Sequence, residues 1–150
     1  MPTPKVGRGL AYGDFDGDGD VDLLLTTNGG PALLFRNDHT GGRRSLRVKL
    51  TGTKSNRDAI GTLARVTSAA GTSPWQMVKT GSSYLSQSEM PLTFGLGTAT
   101  AVSRIEVKWP DGRAETLPGV AADLALVVEE GKGIVSKTPF SAPRPRPGTR

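Results

Sequence analysis

The chain has 150 residues, 35% hydrophobic and 22% charged, with 20 glycines, 11 prolines and no cysteine. That length fits one domain, or one domain plus a fragment, and the missing cysteine excludes a disulfide framework and any cysteine-based metal site. The formal net charge is +5, yet residues 1–38 set three cations against six aspartates, so the basic surplus lies downstream of an acidic N-terminal part.

In chain order, the first ten residues, MPTPKVGRGL, lack the apolar stretch of a secretion signal. Residues 12–25, YGDFDGDGDVDLLL, then place Asp14, Asp16, Asp18, Asp20 and Asp22 at every second position. At roughly 6–7 Å between alternate residues, each neighbouring pair costs about 0.6 kcal/mol even in water. A bound cation removes that repulsion. The run follows the opening of a calcium loop, D-x-[DN]-x-[DN]-G. Ca²⁺ takes six to eight oxygens, and a curled chain can aim alternate side chains inward. Asp14, Asp16 and Asp18 stand at positions 1, 3 and 5, and Gly19 makes the bend at position 6. Asp20 is expected to offer its backbone carbonyl at position 7, and Asp22 closes the shell at position 9, directly or through water. Position 12 is Leu25, where an EF-hand requires a bidentate Glu and flanking helices. The reading is therefore a calcium loop that opens into a β-strand. The surplus of carboxylates argues for Ca²⁺ over Mg²⁺, which prefers one or two of them and retained waters.

The apolar run VDLLLTT, the turn residues Asn28–Pro31 and the segment ALLFRN predict a β-hairpin that the acidic loop enters. Residues 39–44 read as a linker. Across 45–130, strands are predicted at 45–51, 61–69, 75–80, 91–97, 103–109, 113–117 and 124–130. In the first of these Leu46, Val48 and Leu50 alternate with polar residues, as Ile105, Val107 and Trp109 do in the fifth. Pro110–Gly112 suits a type I turn between the fifth and sixth strands. Seven short strands at this spacing predict a sandwich or small barrel. Outside Val120–Val128 no stretch has a helical period. Residues 131–150 end in a proline- and arginine-rich run and are expected to form a disordered tail. No run of 18 apolar residues supplies a membrane span.

Other polar candidates carry less. His39 is the only histidine and has no partner cluster for zinc or catalysis. Ser82, Ser83, Ser86 and Ser88 lack a nucleophile elbow and a base. Asn56, Arg57 and Asp58 read as a turn held by Asx hydrogen bonds and an Arg–Asp pair. Trp75, Tyr84 and Trp109 could form a sugar platform, with core packing favoured.

The stretch GLAYGDFDGDGDVDLLLTTNGGPALLFRN resembles an FG-GAP/VCBS repeat, a β-propeller blade unit. The resemblance implies Ca²⁺ held by Asp14, Asp16, Asp18, Asp20 (backbone) and Asp22. The segments 52–66, 81–97 and 102–117 resemble the ASPIC/UnbV domain that commonly follows such repeats, as in cartilage acidic protein-like chains. This implies an extracellular or cell-surface parent protein, of which this chain reads as the C-terminal part. Only one acidic repeat is present, so its hairpin is expected to pack on further propeller blades, on the β domain or on another chain.

The sequence thus predicts an all-β protein: residues 1–38 form a blade-like hairpin with a calcium loop, and 45–130 a β domain. The expected function is a non-catalytic, calcium-stabilised module for protein or carbohydrate interaction or adhesion. The alternatives are a metal-dependent hydrolase using the acidic loop and a weak nucleic-acid binder through the basic stretch 43–49.

Overall fold

The computed structural model describes residues 4–38 and 41–141. His39 and residues 142–150 of the expected tail lie outside them. The described residues contain twelve strands and no helix, in three sheets.

The first sheet is antiparallel and three-stranded, in the order β1 (Gly7–Gly13), β2 (Asp22–Thr27), β3 (Leu33–Phe35). The predicted hairpin is β2–β3, with Leu24 opposite Leu34. The sequence reading missed β1, because GRGLAYG has no β-branched residue and its glycines mask alternation. Its partner β2 imposes the strand from outside, with Tyr12 opposite Leu23 and Gly13 opposite Asp22. The acidic loop is the β1–β2 connection.

The remaining strands form two sheets around one core. One has the order β10 (Ala114–Ala121), β9 (Ala101–Lys108), β5 (Leu63–Ser68), β6 (Gly71–Thr72), with β7 (Gln76–Met77) also on β5. The other has the order β12 (Gly133–Pro139), β11 (Leu124–Glu129), β4 (Arg44–Thr51), β8 (Leu92–Gly97), with β11 parallel to β4. The alternation predicted in β4 and β9 holds. Leu46, Val48 and Leu50 from one sheet join Val102, Ile105 and Val107 from the other in a single buried cluster with Phe94, Leu126 and Val128. Both sheets keep open edges, so the barrel alternative gives way to two layers sharing a core.

Three expectations are corrected. The helical period at Val120–Val128 is two strand segments, β10 running to Ala121 and β11 starting at Leu124. Strand β10 also continues past Pro118, which is tolerated because β10 is an edge strand and needs no donor on its outer side. The tail expected from residue 131 begins instead as β12, paired along β11. Only its first residues are half-buried, so its sequence shows no alternation to read.

The turn at 109–112 forms as predicted, Gly112 donating to the Trp109 carbonyl at 3.0 Å.

Candidate metal centre

The acidic loop curls because two of its glycines take left-handed backbone angles, Gly17 at φ 79° and Gly19 at φ 91°. Its own amides turn inward to carboxylates. Asp14 accepts from Gly17 at 2.7 Å and from Gly19 at 3.0 Å, and Asp18 accepts from the Asp20 amide at 2.9 Å. Asp22, at the far end of the loop, accepts from Phe15 near its start at 3.1 Å and from Asn37, just beyond β3, at 2.8 Å.

The curl gathers Asp14, Asp16 and Asp18, each offering one oxygen, with these oxygens all within 4.8 Å of one another. Asp16 is only 6% exposed, and neither of its carboxylate oxygens has a hydrogen-bond partner; one Asp18 oxygen is equally orphaned. Burial raises the Asp18 carboxyl above its usual range; the Asp20 amide opposes this, and the charges of Asp16, Asp20 and Asp14 add to it. A buried carboxylate without a donor costs several times more than a satisfied one. A hard cation supplies what these oxygens lack, so the residues present fit Ca²⁺.

Of the five predicted ligands, three come together. Asp20 donates its amide to Asp18 and lies outside the triad, and Asp22 is spent on the Phe15 amide of the loop and the Asn37 amide beyond β3.

The loop is clamped onto the two-sheet domain by residues to which the sequence reading gave no role at the loop. Arg47, on β4, pairs through Nη1 with Asp14 Oδ2 at 2.6 Å and through Nη2 with Glu89. The Arg47 side chain is 13% exposed and that of Asp14 2%. Ser45 Oγ donates to the Gly19 carbonyl at 2.9 Å, and the Ser141 amide donates to the Gly17 carbonyl at 2.8 Å. The Phe140 ring lies over Gly19, where an added Cβ would sit 2.3 Å from it. Tyr12 donates its amide to Ser88 Oγ at 3.2 Å and accepts from the Glu89 amide at 3.0 Å. In SLRVKL the alternation suggests a solvated basic face, yet Arg47 faces the acidic loop. No local signal marks this, since its partners lie 33 and 42 residues away in sequence.

The same packing thins the basic stretch 43–49, in which Arg44 pairs with Asp123 and Arg47 with two carboxylates. The aromatic candidates do not share a surface. Trp109 is buried and donates Nε1–H to Glu115 at 2.7 Å, Trp75 lies against Arg65 and Lys108, and Tyr84 is exposed. Ser82 and Ser88 bond each other at 3.1 Å. At 55–61 the Asx bonds form, Asn56 exchanging two 2.8 Å bonds with Ile60, but Arg57 and Asp58 do not pair.

A second carboxylate node was also missed. Glu130, its side chain wholly buried, accepts the amides of Thr53, Lys54 and Ser55, each at 2.8 Å, the Ser55 hydroxyl at 3.0 Å, and Arg113. Burial pushes its carboxyl up, but these donors outweigh burial and hold it at about 2. Adjacent glutamates at 129 and 130 gave no sequence sign of which one turns inward.

Fold and site define a class: an all-β module with an acidic loop built into the junction between a small sheet and a two-sheet domain. The sequence profile described as ASPIC and UnbV matches residues 52–135, and the chain belongs to that family. The chain is 31% identical over 126 residues to cartilage acidic protein 1 of Mus musculus and of Homo sapiens, and 34% identical over 126 residues to that of Xenopus tropicalis. Each match covers 82% of this chain and 19% of the relative, so the chain spans about a fifth of the length of these curated relatives. Among the described residues no helix is long and apolar enough to cross a membrane.

Proposed function

We propose that this chain is a non-catalytic Ca²⁺-binding β module in which the metal is structural. Asp14, Asp16 and Asp18 would hold the ion, with Asp22 keeping the loop closed. The ion's contribution is charge neutralisation and oxygen coordination. The observation that carries this reading is Asp16, buried with both carboxylate oxygens unpartnered. The β1–loop–β2–β3 unit is the part that resembles an FG-GAP/VCBS repeat, and its calcium loop is the reason to expect Ca²⁺ rather than Mg²⁺. By the same resemblance the module serves protein or carbohydrate interaction or adhesion outside the cytoplasm, as part of a longer protein.

Isothermal calorimetry tests the binding step. The chain should bind Ca²⁺ with a dissociation constant at or below about 10⁻³ M, the weak limit of extracellular calcium modules, and bind Mg²⁺ more weakly. Asp16→Ala with Asp18→Ala should abolish the heat while the far-UV β signature remains. Absence of any calcium heat in the unaltered chain defeats the reading.

A further inference from the structure

Arg47 is the one cation on β4 turned against the acidic loop, and it does more than fasten two pieces together. Its guanidinium is almost fully enclosed and shared between Asp14, from the loop, and Glu89, from the segment before β8. Asp14 belongs to the carboxylate triad. Any ion held there must therefore share Asp14 with a buried positive charge. Without an ion, that charge offsets Asp14, and the Arg36 guanidinium, which feels the charges of Asp16 and Asp18, offsets the rest of the triad. Ser45, two residues before Arg47 on the same strand, fixes the loop backbone at Gly19, so the guanidinium cannot drift away while the loop stays docked.

Resting on the calcium reading, we infer that Arg47 is a resident counter-cation that sets the metal affinity of the loop. It holds the small sheet on the two-sheet domain in the metal-free protein, and it weakens metal binding by like-charge repulsion. Metal binding and the Arg47–Asp14 pair are thus negatively linked. Glu89 has the opposite sign, drawing the guanidinium partly off Asp14 and adding negative charge nearby.

Arg47→Gln keeps hydrogen-bonding capacity and removes the charge. A unit charge about 6 Å from a divalent ion in a water-like dielectric corresponds to about a tenfold change in affinity. Calorimetry with calcium chloride on the full chain should therefore show roughly tenfold tighter binding for Arg47→Gln, with a lower melting temperature in EDTA. Glu89→Gln, the second variant, should bind calcium more weakly than the unaltered chain. A merely structural ion pair predicts weaker binding in both. Unchanged or weaker binding by folded Arg47→Gln overturns the inference and leaves the calcium reading standing. If that variant does not fold, unchanged or tighter binding by Glu89→Gln overturns it. Absence of calcium heat in the unaltered chain overturns the calcium reading and this inference with it.

Discussion

Two carboxylates on this chain solve the burial of charge in opposite ways. Glu130 is surrounded by donors: three backbone amides, a hydroxyl and a guanidinium meet its two oxygens. Asp16 is surrounded by none. The first is a finished structural node, and the second is the observation on which the proposed cation site rests. The difference yields a pH prediction for Glu130. Its folded-state pKa of about 2 lies below its ordinary range. The stabilisation is therefore complete above the unfolded value, about 4.3, and is lost as pH falls from there through about 2. Glu130→Gln should lower the melting temperature at pH 7 by more than about 5 °C, because a neutral amide cannot replace an acceptor of four protein donors and a guanidinium. The loss should shrink as pH falls from 5 to 2. A variant that melts at the same temperature as the unaltered chain at pH 7 contradicts the node.

At the scale of elements, the acidic loop joins strands of one sheet but is held by the ends of others. Residues just beyond β12 lie across it, with Phe140 against Gly19 and Ser141 bonded to Gly17. An alanine at 19 would place its Cβ 2.3 Å from the Phe140 ring and would strain the backbone at φ 91°. Gly19→Ala should cost about 2–3 kcal/mol in urea unfolding and weaken calcium binding. Phe140→Ala combined with Gly19→Ala should recover part of the calcium affinity, because the clash is gone and only the strain remains. No recovery would show that the ring does not shape the loop. The small sheet itself has little cover. Leu10, Tyr12, Leu23 and Phe35 are each more than 40% exposed, as are Leu24 and Leu34, two strand residues on its other face. Three short strands with so much apolar surface in water gain stability mainly where they dock, which is at the loop and at Tyr12 on β1. That concentrates the importance of the Arg47, Ser45 and Ser141 contacts.

At the scale of the whole molecule, two layers with one core carry a third sheet attached through the Arg47–Asp14 pair and a set of neutral hydrogen bonds. The layers were legible because the alternation of Leu46, Val48 and Leu50, and of Ile105 and Val107, is dictated by the strand period and one buried face. The acidic loop was legible because its carboxylate and glycine spacing is a local code. What escaped was either context-made or long-range. Strand β1 exists because β2 supplies its partner, and β12 exists because β11 does; neither has an amphipathic signal of its own. Arg47 looks like any outward residue of a half-buried strand until the chain brings Asp14 beside it. Position 12 of the loop, Leu25, falls within β2, opposite Leu10 and Leu33. A strand therefore takes the place of an EF-hand's second helix, as the missing glutamate implied.

The central claim is that a cation completes the Asp14–Asp16–Asp18 site and stabilises the folded chain. Its most direct test is thermal unfolding followed by circular dichroism, in EDTA and then in increasing calcium. A ligand that binds only the folded form adds about 2.7 kcal/mol at a hundred times its dissociation constant, which is about 5–10 °C for a chain of this size. The melting temperature should rise by that amount with calcium, fall back with EDTA, and fail to respond in Asp16→Ala with Asp18→Ala. A melting temperature unchanged from EDTA to millimolar calcium would contradict the account.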